Sequence, residues 1–197
     1  MVQLKSGGGH GGFPDLSFGQ FPIPNHTVDA ACAAVDAQTG GDAARDRKPL
    51  PQRPGGGIGE VEDVRTALDW LEREFPLPII FAGFSFGAAV GLRAAYSDDR
   101  VQALIALGLP AIPAPSDSGE PRVYDFEFLR TSTKPKLFVS GSRDQFAPPG
   151  TLETLVAAFP EPKKLVRIEA GDHFFEGRLR EMRDSIEAWI KEFAPAR

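Results

Sequence analysis

The sequence has a single cysteine, Cys32, in 197 residues, so no disulfide can form within the chain and a packed core must hold the fold. Cys32 itself reads as a small buried or half-buried residue. The three histidines do not combine with it or with each other into metal-ligand spacings, and neither a metal nor any other cofactor is expected. No apolar run approaches the length of a membrane span, and residues 1–12 lack the apolar segment of a secretory signal. The cytoplasm is therefore the expected compartment, with no membrane partner. Basic runs are missing too, and the formal net charge is −5, which argues against nucleic acid as a partner.

Strand-like apolar runs are scarce in residues 1–57, where 11 glycines and 6 prolines fall. That density marks irregular or low-complexity sequence. We read 1–57 as an atypical N-terminal segment and 58–197 as the folded core. If the first part supplies no strands, the earliest core strand becomes an exposed apolar edge, which invites self-association through the sheet.

From there on the periodicities are clear. Residues 60–75 carry Val61, Val64, Leu68, Leu71 and Phe75 at spacings of three and four, predicting an amphipathic helix with Trp70 packed at its edge. Short apolar runs at 78–83 and 136–140, a stretch at 101–107 that alternates and then runs apolar, and 164–169 with Leu165, Val166 and Ile168 predict strands. Helices are expected over 149–159 and along a C-terminal stripe of Phe175, Leu179, Met182, Ile186, Trp189, Ile190 and Phe193. Strand and helix alternate, which is the pattern of an α/β fold with a mostly parallel sheet and helices on both faces.

The chemistry concentrates after the strand at 78–83, in Gly83-Phe84-Ser85-Phe86-Gly87, followed by the small residues of a helix. A serine on a sharp strand-to-helix turn needs slender neighbours two residues to either side, and Gly83 and Gly87 fill both places. The turn lifts the Ser85 hydroxyl clear of the sheet. It also leaves the Phe86 N–H at a helix N-terminus, facing any oxyanion that develops there.

A serine hydroxyl attacks only when a base takes its proton, and histidine suits that task at neutral pH. Of His10, His26 and His173, only His173 lies after the turn, between the strand at 164–169 and the last helix. A carboxylate must then orient the imidazole, and the order serine, acid, histidine places it between Ser85 and His173. Asp144 follows a strand and is the leading candidate. Asp125 is the second, while Asp98, Asp99 and Asp117 have no strand aiming them at the site. Asp172 adjoins His173 and reads as an exposed loop acid or a local cap. A second oxyanion donor belongs to a loop after an early strand; His10-Gly11-Gly12-Phe13 offers Gly11 there, but only a three-residue strand candidate precedes it, and a glycine-rich flexible N-terminus is the favoured reading of the stretch. Phe84, Phe86, Phe174 and Phe175 are candidates to line an apolar acyl pocket, and the proline-rich loop at 108–120 is a short lid or a solvated connector.

Taken together, Gly56-Gly57-Ile58-Gly59-Glu60-Val61-Glu62-Asp63, Ala67 to Leu71, Ala82 to Ala88, Tyr124-Asp125-Phe126, Lys134 to Val139, Gly141 to Phe146 and Gly171 to Phe175 resemble small bacterial α/β-hydrolases of the dienelactone-hydrolase-like and Xaa-Pro-peptidase-like esterase group. The resemblance runs from about residue 55 to the C-terminus and implies Ser85, Asp144 and His173 as a catalytic triad. It also implies an α/β-hydrolase-like sheet, here with its early strands missing if 1–57 supplies none. The first third departs from the family: Phe21-Pro22-Ile23-Pro24 only echoes the usual early turn. An altered N-terminal coding sequence and a divergent short variant are the two readings of that departure. The expected function is cleavage of a small ester, less readily an amide, through an acyl-enzyme on Ser85. The alternative is a non-catalytic or defective relative with an incomplete oxyanion hole.

Overall fold

The computed structural model describes residues 58–115 and 119–193. The expected residues Gly11, Cys32 and the rest of 1–57 lie outside this range. The elements run in the order α1 (Ile58–Glu74), β1 (Ile79–Phe84), α2 (Phe86–Ala95), β2 (Val101–Leu107), a 3-10 turn (Glu127–Thr131), β3 (Lys136–Gly141), α3 (Thr151–Ala157), β4 (Lys163–Ile168) and α4 (Leu179–Phe193).

The four strands form one parallel sheet in the order β1-β2-β3-β4. Consecutive parallel strands need a crossover, and α2, the 108–135 connection and α3 provide the three crossovers. Alternation along each strand sorts side chains to two faces. Phe81, Leu104, Ala106 and Phe138 pack with α1, α2 and α3 on one face; Ala82, Ile105, Leu137 and Val139 pack with α4 on the other. Helices thus cover both faces of the sheet. The apolar stripe of α1 is the one the sequence predicts: Val61, Val64, Leu68 and Leu71 are buried, each burial stabilising by about 1.5–3 kcal/mol. Trp70 meets Phe75 edge to face at 5.6 Å beside them.

Two elements differ from the periodicity reading. The last helix begins at Leu179 and not at Phe175, which has a φ of 55° in the preceding turn although its ring still joins the α4 side of the core. The helix expected over 149–159 spans only Thr151–Ala157, with Gly150 at a φ of 85° before it. Residues of both kinds of turn keep the apolar spacing, so periodicity alone overruns the helix ends.

Charged side chains tie the strand starts to the helices. Arg100, just ahead of β2, holds Asp98 at 2.6 Å and reaches Asp69 and Glu72 of α1 at 2.7 and 3.1 Å. Lys136 at the start of β3 is fully buried, and its Nζ donates to the Ser132 and Lys134 carbonyls at 2.7 and 2.6 Å. Burial pushes the Lys136 ammonium below its ordinary pKa. No helix among the described residues is long and apolar enough to cross a membrane.

Candidate active site

The C-terminal ends of β1, β3 and β4 and the loops leaving them bring three polar side chains together. Ser85 caps α2 with φ 52° and ψ −122°, a conformation that costs a non-glycine residue on the order of 1–3 kcal/mol. Its N–H donates to the Leu107 carbonyl at 2.8 Å, and its own carbonyl accepts from Ala88 and Ala89, so neighbouring strand and helix fix the strained turn from both sides. The turn also depends on Gly83: a Cβ there would lie 2.7 Å from the Ala88 Cα and 2.8 Å from the Gly87 carbonyl oxygen.

Asp144 sits in the loop after β3 with its carboxylate fully buried. The loop folds back on itself, the Phe146 N–H donating to Asp144 Oδ1 at 2.9 Å and the Ala147 N–H to the Asp144 carbonyl at 3.2 Å. His173 comes from the loop after β4. The two loops are stitched together, the Arg143 N–H donating to the Gly171 carbonyl at 2.8 Å and the Ala170 N–H to Ser142 Oγ at 2.9 Å.

His173 bridges the other two residues. Its Nδ1 lies 3.1 and 3.0 Å from the two Asp144 carboxylate oxygens, and its Nε2 lies 2.9 Å from Ser85 Oγ. A carboxylate can only accept, so Nδ1 carries the hydrogen and Nε2 presents its lone pair to the serine hydroxyl. Around the ring stand Phe84 at 5.0 Å, Phe146 at 4.7 Å and Phe174 at 5.1 Å, the last two edge to face. These rings leave the imidazole only 3% exposed residue-wide and keep bulk water from competing for its hydrogen bonds.

The other sequence candidates fall in different places. Asp125 is exposed and pairs with Arg93 at 3.7 Å, away from His173. Asp172 accepts from the Glu176 N–H at 2.9 Å, the local cap expected of it. Phe86 opens α2, so its N–H is one of those that helix geometry leaves without an intrahelical carbonyl. Its ring lies under Arg122 at 4.4 Å and walls a cleft of about 520 Å³ between α1, α2 and the 122–128 segment, a cleft that Ser85, Asp144 and His173 do not line. Phe84 and the exposed Phe174 flank the histidine, whereas Phe175 is buried among Met182, Ile186 and Trp189, where it fills core and not pocket. Sequence reasoning passed over Phe146 as a site residue. Its position two residues after a candidate acid was the available signal, since an aspartate in a turn commonly takes the N–H two residues on.

The loop after β2 leans over the same region. The N–H groups of Ala111 and Ile112 donate to the Phe146 carbonyl at 2.8 and 3.3 Å, and Ala114 pairs with Arg122 as an antiparallel bridge.

The fold agrees with that of similar proteins. The sequence matches the profile of the alpha/beta hydrolase domain over residues 43–195. The chain belongs to the alpha/beta hydrolase domain family. The matched region takes in residues 43–57 of the glycine- and proline-rich N-terminal segment. Among solved structures, an alpha-beta serine hydrolase homologue from Coxiella burnetii is 28% identical, with a TM-score of 0.57, covering 81% of this chain and 74% of that one. XC6422 from Xanthomonas campestris, described as an α/β serine hydrolase without lid, is 26% identical, with a TM-score of 0.58 and coverage of 78% and 65%. An uncharacterized Rickettsia prowazekii protein, RP471, is 26% identical over 141 residues, 68% of this chain. The chain spans 56% of the length of that curated relative.

Proposed function

We propose that this protein is a serine hydrolase that cleaves a small carboxylic ester, and less readily an amide, through an acyl-enzyme on Ser85. The observation that carries the reading is the unbroken line of hydrogen bonds from Ser85 Oγ through His173 to the buried Asp144 carboxylate. Family membership and the serine hydrolases among its relatives support the same chemistry.

In this reading His173 Nε2 takes the hydroxyl proton as Ser85 Oγ attacks the ester carbonyl. Asp144 stabilises the imidazolium that forms and keeps the proton on Nδ1 from wandering to the wrong tautomer. The Phe86 N–H, at the positive end of α2, donates to the oxyanion of the tetrahedral intermediate. His173 then returns its proton to the departing alcohol oxygen, which breaks the ester bond and leaves the acyl group on Ser85. Water attacks that acyl-enzyme with His173 as base, releasing the acid and restoring the serine. Gly11 is proposed as the second oxyanion donor, Phe84 and Phe174 as walls for the acyl group, and the cytoplasm as the compartment.

Labelling of the purified chain with a fluorophosphonate tests this directly, because the probe reacts preferentially with an activated serine. Labelling that disappears in Ser85→Ala and drops sharply in His173→Ala is the expected result. An unlabelled but folded, monodisperse protein refutes it and favours a non-catalytic relative; an unlabelled protein that self-associates points instead to the edge of β1, which has only β2 beside it among the described residues.

A further inference from the structure

Arg167 lies within β4, between Val166 and Ile168, with its side chain only 19% exposed. Its guanidinium turns toward the loop that carries Asp144. Nη1 donates to Ser140 Oγ at 2.9 Å and to the Ala147 carbonyl at 3.1 Å, and Nε pairs with Glu153 of α3 at 3.1 Å. Nη2 is buried and makes no hydrogen bond among the described residues. Ser140, in β3, is completely buried, and its Oγ stands 3.4 Å from Asp144 Oδ2 and 3.4 Å from the Gly141 carbonyl oxygen.

The two acceptors of Nη1 bracket the acid in the chain, four residues before it and three after. A hydroxyl whose lone pair is taken by a guanidinium N–H has its own hydrogen left to give. Of the two oxygens in reach, the carboxylate is the stronger acceptor. A brace for α3 alone needs nothing more than the contact with Glu153; here the other bonding nitrogen is spent wholly on the ends of the acid loop, while Nη2 remains unsatisfied. Such a group is rarely retained in a buried site without compensation.

We propose that Arg167 is a positioning residue for the triad. Acting through Ser140 and Ala147, it fixes the orientation of the Asp144 carboxylate toward His173 and holds a cationic charge behind it. This rests on the reading of Ser85, His173 and Asp144 as a working triad. It adds a residue that touches neither substrate nor reacting atoms.

The test uses the full chain with Arg167→Gln, Arg167→Lys and Ser140→Ala. Proton NMR reads the low-field resonance of the His173 Nδ1 hydrogen, assigned by its loss in His173→Gln, and fluorophosphonate labelling reads the rate. Arg167→Gln and Ser140→Ala should both shift the resonance upfield and slow labelling about tenfold, the equivalent of about 1.4 kcal/mol in the barrier. Arg167→Lys, which keeps the charge but not the fork, should recover part of both. Ser140→Ala removes one hydroxyl and leaves the Arg167–Glu153 pair in place, so it stays informative if Arg167→Gln does not fold. A resonance that is absent from wild type, or unmoved in Ser140→Ala whatever the labelling rate, overturns the proposal. A resonance that moves as expected in a protein that never labels sustains the positioning role and overturns the esterase reading instead.

Discussion

Gly141 and Gly171 meet so closely that a Cβ on Gly141 would stand 2.2 Å from the Gly171 carbonyl oxygen. Gly141 ends β3 and Gly171 precedes His173 by two residues, so this backbone contact sets the gap between the acid loop and the histidine loop. Real Cβ atoms do not approach that near to backbone, and neither partner is a flexible side chain able to move aside. Gly141→Ala should therefore push the loops apart. We expect a loss of about 3 kcal/mol in urea unfolding, at the upper end for an inserted methyl group, together with loss of fluorophosphonate labelling in the protein that remains folded. A variant with wild-type stability and labelling would show that the loops accommodate the methyl group.

The acid can be identified by comparing two isosteric changes. Asp144→Asn keeps shape but offers an amide where the histidine N–H expects a carboxylate, which favours the wrong tautomer; turnover should fall by about 10⁴-fold. Asp125→Asn alters an exposed pair with Arg93 and should leave turnover unchanged, with a stability effect within about 0.5 kcal/mol. Ester hydrolysis by the two variants decides the matter, and the reverse ranking would remove Asp144 from the mechanism.

Asp98 provides a pH-dependent contribution to stability. Its hydrogen bonds from Arg100 hold the carboxyl below the usual 3.8, against an opposing push from burial. The same contacts push the Arg100 guanidinium above its ordinary pKa. With the folded-state pKa below the unfolded one, the contribution is complete above about pH 3.8 and is lost as pH falls through the folded value. Asp98→Asn should lower stability by about 1 kcal/mol at pH 7, a modest figure because Asp69 and Glu72 still face Arg100. Urea midpoints of variant and wild type should converge as pH drops below that window; a constant gap down to pH 2 would rule out the charge pair as the cause.

Much of this architecture can be read from the sequence, for identifiable physical reasons. β2 has the bounds 101–107 in both readings because, after Val101 and the exposed Gln102, a buried parallel strand is written as the apolar run Ala103 to Leu107, which ends at Gly108. The Ser85 turn is legible because a tight crossing demands small residues at fixed offsets. His173 and Asp144 follow from chain order combined with strand ends. Ser140 and Arg167 are not legible in this way. Each interrupts an apolar strand with a polar residue, and the alternation of a sheet allows such a residue to face solvent. Only the fold shows that Ser140 turns inward to the Asp144 carboxylate and that Arg167 reaches the Ser140 hydroxyl. Phe175 misleads in the opposite sense: it continues the spacing of α4, but Gly177, at a φ of 67°, breaks the chain between them.

Phe174 and Phe175 are neighbours in sequence with opposite fates, which makes them a sharp internal control. Phe174 is 57% exposed, its ring edge-on to His173 at 5.1 Å and 6.0 Å from Phe84. Phe175 is 1% exposed and packs against α4. Removing the Phe175 ring leaves a cavity in the core, so Phe175→Ala should cost about 3–5 kcal/mol. Phe174→Ala should change stability by less than about 0.5 kcal/mol, because little apolar area leaves the core. Its effect should appear in catalysis, as a KM that rises several-fold for esters with bulky acyl groups and changes little for acetyl esters. Stability should therefore separate the two variants in one direction and KM in the other. A KM unchanged across the ester series in Phe174→Ala would remove this ring from the acyl site and leave Phe84 as the proposed wall on that side of His173.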